Sequence, residues 1–297
     1  PFYNISFKKR NVFRSLESFD LSGRIGFEGV ASATETGNVY KSTEAGINAS
    51  MTFPQLLFPF SGHTEFRLGK YNPRTRIQAG YAYTDRPEYR RTNASFSGTY
   101  YMENKKTTQY SWTFANLSLI DTLKTSLPFR EFLATQNSAG NFSLVNAFSP
   151  SFVTSTIFGI TWNHNNYGIA DENATFIRTT LESGGTIWNL IKPDSIMKEQ
   201  GLQYFKYFRA NLDIRRNRVL DKNTVLAYRL NSGVAYGYGD NKSVPYEKFF
   251  FAGGSSSIRA WSPRRLGPGS FRPDENTDKR ENGWFDYSVE KPAEILL

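Results

Sequence analysis

Apolar and polar residues alternate with a period of two along almost the whole chain. Between residues 204 and 215, this alternation places Phe208, Ala210, Leu212 and Ile214 together on one side. The residues between them are mostly polar or charged. Because successive side chains of an extended chain point to opposite faces, the pattern predicts β-strands with one apolar and one polar face.

Eleven segments carry this alternation, and each is predicted to be a strand. They cover residues 3–12, 18–33, 41–53, 75–86, 92–103, 107–118, 148–165, 174–184, 203–216, 222–238 and 286–297. Several are as long as the roughly 9–11 residues that a tilted strand needs to cross a bilayer. Strands of a soluble sandwich are shorter, with turn signals every ~8–12 residues. The sequence therefore predicts an all-β fold, an antiparallel transmembrane β-barrel that is apolar outside and polar inside.

Four connections exceed a tight turn. Residues 53–74 are predicted to form a Pro-containing turn. Residues 126–131 are predicted to form a short helix, with Ser126 as its cap and a proline in the first turn. A similar segment covers 187–200. The longest connection, 252–286, is predicted to be a loop that folds back into the barrel.

Composition narrows the function classes. The chain of 297 residues is only 39% hydrophobic, yet 16% of its residues are aromatic. A barrel wall needs an apolar residue only at every second position, and aromatic side chains suit the membrane interface. With no cysteine and only His63 and His164, the sequence offers no disulfide, thiol nucleophile or zinc site. It also lacks a Gly-x-Ser-x-Gly elbow and a Walker loop, so neither an enzyme nor a metal or other cofactor is expected.

The formal net charge is +9, but lysines and arginines are scattered along the chain. Nucleic-acid binding requires a clustered basic footprint, so no nucleic acid is expected as a partner. Phosphorylated lipid of the outer leaflet is a secondary candidate partner. On the polar face of the predicted barrel, the candidate lumen residues are Arg209, Asp213, Arg215 and Arg229. They are expected to be charge-balanced wall residues, and the alternative is that they set the selectivity of a pore.

One segment near the C-terminus combines glycines with an arginine between apolar neighbours. Its candidate residues are Gly253, Gly254, Ile258, Arg259, Ala260 and Trp261. The glycine pair supplies backbone freedom, and Arg259 can hold several acceptors in a planar fork. This segment resembles the signature of the sixth extracellular loop in the BamA/TamA superfamily of outer-membrane β-barrel insertases and translocases. That family usually has glycine where this chain has Ala260.

Four further stretches resemble the TamL-like branch of that superfamily, namely Asn11–Phe13, Phe53-Pro54, Pro73–Thr75 and Arg265–Phe271. The resemblance implies that residues 1–297 are a barrel fragment holding about strands 2–12 of sixteen. The POTRA domains and the remaining strands are then expected outside this sequence. The odd number of predicted strands agrees with a fragment, because bacterial single-chain barrels have even numbers.

The resemblance also implies a function. The expected protein lies in the bacterial outer membrane and inserts or translocates other outer-membrane proteins without enzymatic chemistry. Arg259 is expected to latch the loop inside the barrel, with its acidic partner beyond Leu297. Expected partners are outer-membrane lipids including lipopolysaccharide, unfolded outer-membrane protein clients, and periplasmic or lipoprotein accessory subunits. The alternatives are a two-partner-secretion-type transporter, a passive porin with an arginine-lined lumen, and a soluble β module that binds glycans.

Overall fold

A computed structural model describes residues 2–31, 39–57, 62–86, 89–104, 107–138, 148–165, 167, 173–185, 201–238, 244–253, 258–259, 266 and 295–296. The strands are β1 (Phe2–Arg10), β2 (Ser18–Ala31), β3 (Val39–Phe53), β4 (Arg74–Asp85), β5 (Tyr89–Asn104), β6 (Thr108–Thr125), β7 (Ser151–His164), β8 (Ala174–Gly184), β9 (Gln203–Tyr204), β10 (Lys206–Asp221), β11 (Thr224–Tyr238) and β12 (Ile295–Leu296). The helices are α1 (Gly62–Leu68) and α2 (Leu127–Ser138), with 3-10 turns at Gly69–Tyr71 and Tyr246–Lys248.

The strands form one sheet in which neighbours in the chain are neighbours in space. The order is β1-β2-β3-β4-β5-β6-β7-β8-β10-β11-β12, and every pairing along this path is antiparallel. The two-residue β9 lies off this path and pairs in parallel with the start of β7. The predicted all-β antiparallel architecture is therefore confirmed. Within the described residues, β1 and β12 do not pair, so the sheet is not closed.

The register keeps the apolar side chains on one face across the whole sheet. One row runs through Ile47, Tyr81, Ala94, Leu119 and Phe152, each opposite the next on adjacent strands. Ile47 is 52% exposed and Tyr81 is 49% exposed, so these large side chains have no second protein layer covering them. A long exposed apolar face is the arrangement expected of a sheet whose outer side meets lipid.

A bulge in β6 shifts the phase of its alternation, and the strand continues to Thr125, beyond residue 118 where the prediction ended it. The apolar face carries Tyr110 and Trp112 and then, beyond the bulge, Leu117 and Leu119. The extra residue at the register shift is Phe114, which changes the phase from even to odd positions. Such a bulge interrupts a period-two pattern without ending the strand.

The connections differ from the predictions in part. Residues 53–74 are not a simple turn, because Gly62–Leu68 forms α1, whose seven residues are too few for a helical pattern to stand out. The predicted helix near 126–131 is present as α2 and continues to Ser138, and Ser126 Oγ accepts the Phe129 N–H at 3.4 Å. The predicted helical segment 187–200 and most of the predicted strand 286–297 lie outside the described residues.

The turn between β1 and β2 shows why Asn11 is suited to its position. Asn11 has φ 58°, a conformation that asparagine tolerates well, and its Oδ1 accepts the Leu16 N–H. The carboxylate of Glu17 accepts the N–H groups of Phe13 and Ser15. Burial acts to raise the pKa of Glu17, but the backbone donors of the turn outweigh it and hold this pKa below its ordinary value.

The two ends of the sheet differ in the length of their connections. One end, termed here the short-turn end, carries residues 11–17, 105–107, 165–173 and 222–223 and the 54–73 segment. The other, the long-loop end, carries the short connections 32–38 and 86–88 and the three long connections 126–150, 185–202 and 239–294. Outer-membrane barrels show this asymmetry, with short periplasmic turns and longer extracellular loops. None of the helices in the described segments combines the length and apolar character needed to cross a membrane.

Replacing Ile160 by arginine (Ile160→Arg) tests which face meets lipid. Ile160 lies on the apolar face between Tyr110 and Thr179. A cationic side chain at this depth is expected to cost about 2–4 kcal/mol of the folding free energy in a bilayer. Thr180→Arg, on the polar face of β8, is the matched control and is expected to cost only about 0.5 kcal/mol. Urea-dependent folding into phospholipid vesicles measures both, and equal costs would contradict the assignment of faces.

Candidate functional site

The segment 244–253, termed here the inward segment, lies against the polar face of the sheet. Within it, Glu247 forms an ion pair with Arg91 of β5. The next residue, Lys248, forms an ion pair with Glu182 of β8 at 2.6 Å. Because adjacent residues of one segment reach strands that are three positions apart in the sheet, the sheet curves around this segment with its polar face inside.

Glu182 is the most enclosed of these charges, with a side chain that is 3% exposed. Its Oε1 accepts hydrogen bonds from Ser155 Oγ and from the Tyr207 hydroxyl, each at 2.7 Å, as well as the ion pair with Lys248. The ring of Tyr207 lies against Gly184, where any β-carbon would overlap it. A buried carboxylate is tolerated only when it is paired and hydrogen-bonded, and this arrangement meets both conditions.

Aromatic side chains of the inward segment pack onto a glycine of β11. The ring of Phe250 covers Gly233 so closely that an added β-carbon would lie 2.4 Å from its Cζ. The Arg209 guanidinium stands 4.3 Å from the centroid of the same ring, which is the geometry of a cation–π contact. The buried residues packed together here are Ile120, Val153, Phe205, Tyr207, Ala235, Val244, Phe249 and Phe250. The structure thus places Arg209 over an aromatic ring, apart from the other candidate lumen residues.

Three of the four candidate lumen residues meet in a second cluster on the same polar face. Arg215 donates to Asp213 from Nε at 3.1 Å and from Nη2 at 2.7 Å. Arg229 donates to it from Nε at 3.1 Å and from Nη2 at 3.0 Å. Each of the two arginines therefore binds the carboxylate of Asp213 through a bidentate pair of hydrogen bonds. No group of three or more metal-ligating side chains occurs in the described part of the chain.

The glycine–arginine motif is described only in part. Gly253 has φ 100°, a conformation that residues with a β-carbon rarely adopt. Ile258 and Arg259 are exposed, and no ion pair joins Arg259 to another of the described residues. A single bridge between Ala252 and Leu266 ties the two ends of the loop that carries the motif. Gly254, Ala260 and Trp261, and most of the predicted loop 252–286, lie outside the described residues.

The two clusters bear on the partner expected for Arg259. Asp213 accepts forks from two arginines, and Glu182 accepts three hydrogen-bond donors on one oxygen. Both of these polar-face carboxylates are therefore already engaged. That the partner of Arg259 lies beyond Leu297 stays a prediction.

Sequence reasoning did not identify Glu182, Glu247 or Lys248 as site residues. Glu182 stands at a polar-face position of its strand, so the alternation alone could have placed it inside. Glu247 and Lys248 carry no comparable signal, because they belong to a connection and their partners are distant in sequence. Adjacent opposite charges in a connection are common at protein surfaces, and only the fold distinguishes this pair.

Comparison with models of protein families identifies the superfamily of this chain. The family model of the Omp85 superfamily domain matches residues 2–283, which is most of the chain. The chain belongs to the Omp85 superfamily. Omp85 proteins lie in bacterial outer membranes and act in inserting or translocating outer-membrane proteins, generally without enzymatic activity. A search of curated protein sequences finds no significant match to this Omp85 chain.

The buried ion pair offers a direct test of how the inward segment of this Omp85 chain is held. Glu182→Gln leaves Lys248 without a counter-charge and is expected to lower the free energy of unfolding by about 3 kcal/mol. Tyr207→Phe removes one hydrogen bond to the same oxygen and is expected to cost about 1 kcal/mol. Denaturant unfolding of the protein in detergent micelles measures both.

A double variant separates the charge from the hydrogen bonds. Glu182→Gln/Lys248→Met removes both members of the pair, so it is expected to regain more than half of the stability that Glu182→Gln loses. If the double variant is as unstable as the single one, the loss does not come from an unpaired buried lysine, and the assigned role of the ion pair is wrong.

Proposed function

We propose that this Omp85 protein assembles other outer-membrane proteins, and that it belongs to the TamL-like branch. Residues 1–297 are then the part of a sixteen-stranded barrel that runs from about its second to its twelfth strand, with the POTRA domains and the other strands outside it. The stretches Asn11–Phe13 and Arg265–Phe271 support the branch. The eleven-strand antiparallel path supports a barrel wall of this kind.

The observation that carries this proposal is the position of the inward segment. Residues 244–253 precede the glycine–arginine motif and already lie on the polar face, joined to Arg91 on one side and Glu182 on the other. A passive porin needs an open lumen, whereas here the interior beside β5, β8 and β11 is occupied. A braced interior suits a barrel that must keep its shape while one of its seams opens.

The proposed mechanism requires no chemical catalysis. A strand edge that is weakly paired at the barrel seam offers backbone N–H and C=O groups to an incoming client strand, which adds to the sheet by β-augmentation. Soluble proteins protect such edges because they recruit other strands, and an assembly factor would exploit the same tendency. Partners under this proposal are unfolded outer-membrane protein clients, periplasmic or lipoprotein accessory subunits, and outer-membrane lipids including lipopolysaccharide.

In this proposal the motif loop is a structural latch. Arg259 is proposed to bind a carboxylate of a strand beyond Leu297 and so to hold the loop inside the barrel. Gly253 and Gly254 give the loop the backbone freedom to turn inward. The role of Arg209, Asp213, Arg215 and Arg229 is to line the lumen as wall residues, with Asp213 pairing Arg215 and Arg229.

A second candidate is a two-partner-secretion-type transporter, and the basic polar face favours it. Arg178, Arg215 and Arg229 stand on the polar face around the single carboxylate of Asp213. Such a surface would solvate a polar chain in transit, and lumen residues of this kind tune selectivity. Ion conductance in planar bilayers distinguishes this candidate, because deletion of residues 253–266 should open a stable pore in a transporter.

Replacing Arg259 tests the latch. In the full-length protein, Arg259→Ala removes a charged fork from the lumen and is expected to slow client assembly about tenfold and to lower the thermal midpoint of the barrel. Arg259→Lys keeps the charge without the fork and is expected to recover part of both. The measurement is the folded fraction of an unfolded outer-membrane β-barrel client in proteoliposomes, followed by heat-modifiable gel mobility.

The control for this experiment is Arg67→Ala, which removes an exposed arginine from α1 at the short-turn end. It is expected to leave both readouts unchanged. Wild-type assembly by Arg259→Ala would rule out the latch. If conductance rises in the same variant while assembly persists, the result favours the transporter function.

A further inference from the structure

Two arginines of β10 stand on the apolar face of the sheet. On β10, Arg216 lies opposite Thr175 of β8 and Tyr228 of β11, and Arg218 lies opposite Leu226. Asp213 and its arginine cluster belong to the other face, because odd-numbered positions of this strand point inward. Both Arg216 and Arg218 are exposed. Their position on this face requires an external partner or water.

These arginines mark the point where the apolar band of β10 ends. Going towards the short-turn end, the outward positions are Phe208, Ala210, Leu212 and Ile214, and the next is Arg216. A transmembrane strand carries its apolar residues through the hydrocarbon and its long basic side chains at the headgroups, where their stems stay in the apolar layer. Arg216 therefore lies at the level of lipid headgroups.

Aromatic residues flank the arginines at the same level. His164 of β7 pairs with Thr175, so it stands in one row with Arg216 and Tyr228. Trp162, one row further in, stacks on His164 with ring centroids 5.6 Å apart and an interplanar angle of 19°. Tryptophan and tyrosine are the residues that line the membrane–water interface in such barrels. Arg216, Arg218 and these flanking residues, termed here the rim, thus have the composition of a membrane–water interface.

Among the described residues, no acidic side chain forms an ion pair with the arginines of the rim. The ion pairs of β10 join Asp213 to arginines of the polar face, and neither Arg216 nor Arg218 takes part in an ion pair with another described residue. In the adjoining turn, Asp221 accepts the N–H of its neighbour Lys222. Residues two apart on a strand are ~7 Å apart, so two guanidinium forks can close on one phosphate from both sides.

We propose that Arg216 and Arg218 bind the phosphate of an anionic phospholipid in the leaflet at the short-turn end. Tyr228 flanks the headgroup, and the acyl chains lie along the apolar rows through Ile214 and Leu230. The two positive charges, which no described carboxylate pairs with, select an anionic over a zwitterionic lipid. The inference rests on the sheet crossing a membrane, as proposed above, and does not depend on the assembly activity.

Native mass spectrometry of the full-length protein, released from detergent with equal amounts of dioleoylphosphatidylglycerol and dioleoylphosphatidylethanolamine, tests the site. The wild type is expected to retain the anionic lipid preferentially. Arg216→Gln/Arg218→Gln is expected to lower this preference about tenfold, because two charge-assisted contacts are lost. Arg216→Lys/Arg218→Lys, which keeps the charges but not the forks, should fall between the two.

The matched control is Arg67→Gln/Lys70→Gln, which removes the same charge from exposed positions at the same end of the sheet. It is expected to keep the wild-type preference. An unchanged preference in the β10 variant overturns the proposal, and an equal loss in both double variants also overturns it by showing a general charge effect. Should the double variant not fold, the single variants Arg216→Gln and Arg218→Gln give the same readout, each with a roughly threefold expected loss.

Folding and assembly serve as separate readouts. Heat-modifiable mobility in vesicles reports whether each variant forms the barrel, and the client-folding assay reports activity. Loss of lipid preference in a folded variant with normal assembly activity supports the lipid site alone. Failure of the wild type to fold into vesicles would count against the membrane barrel and therefore against both proposals.

Discussion

The fold depends on one geometric constraint, which is that paired residues of an antiparallel ladder share a face. Eleven strands are joined in a single path, so a one-residue error anywhere would turn the apolar residues of every later strand inward. The bulge at Phe114 shows how the chain preserves this parity, since the even positions Tyr110 and Trp112 give way to the odd positions Leu117 and Leu119. The ring of Phe114 lies against Gly98, where no larger residue would fit.

The same alternation of faces places the polar residues on the inner face of the sheet and brings their charged side chains close together. Glu182 and Asp213 both occupy inward positions, and each is neutralised by basic side chains close by. The two carboxylates differ in the part of the chain that supplies their basic partners. Asp213 joins side chains of adjacent strands and stays within the wall, whereas Glu182 binds Lys248 and so attaches the inward segment to β8. Alternation along single strands therefore prepares the anchoring points for a segment that is distant in sequence.

The strands could be predicted from the sequence because their signal is local. A period of two is visible in ten residues, and the predicted strands from residues 3 to 238 all have observed counterparts. The full length of β6 could not be predicted in this way, since a bulge changes the phase without ending the strand. Helix α1 is too short to show a period. The ion pair between Lys248 and Glu182 joins residues that only the curved sheet brings together, so no local pattern predicts it. The motif around Arg259 was recognised from its residues, but its engagement remains a proposal because its expected partner lies outside the sequence.

The bridge between Ala252 and Leu266 has a consequence for how the motif loop relates to the rest of the molecule. When both ends of a loop are fixed by the scaffold, lengthening the loop costs only chain entropy, about 0.6 kcal/mol for each doubling of its length. The stability of the sheet and of the inward segment therefore depends on the residues between these two positions only through the contacts that the loop itself makes. The loop can therefore differ in length at a small cost while the register of eleven strands stays as it is.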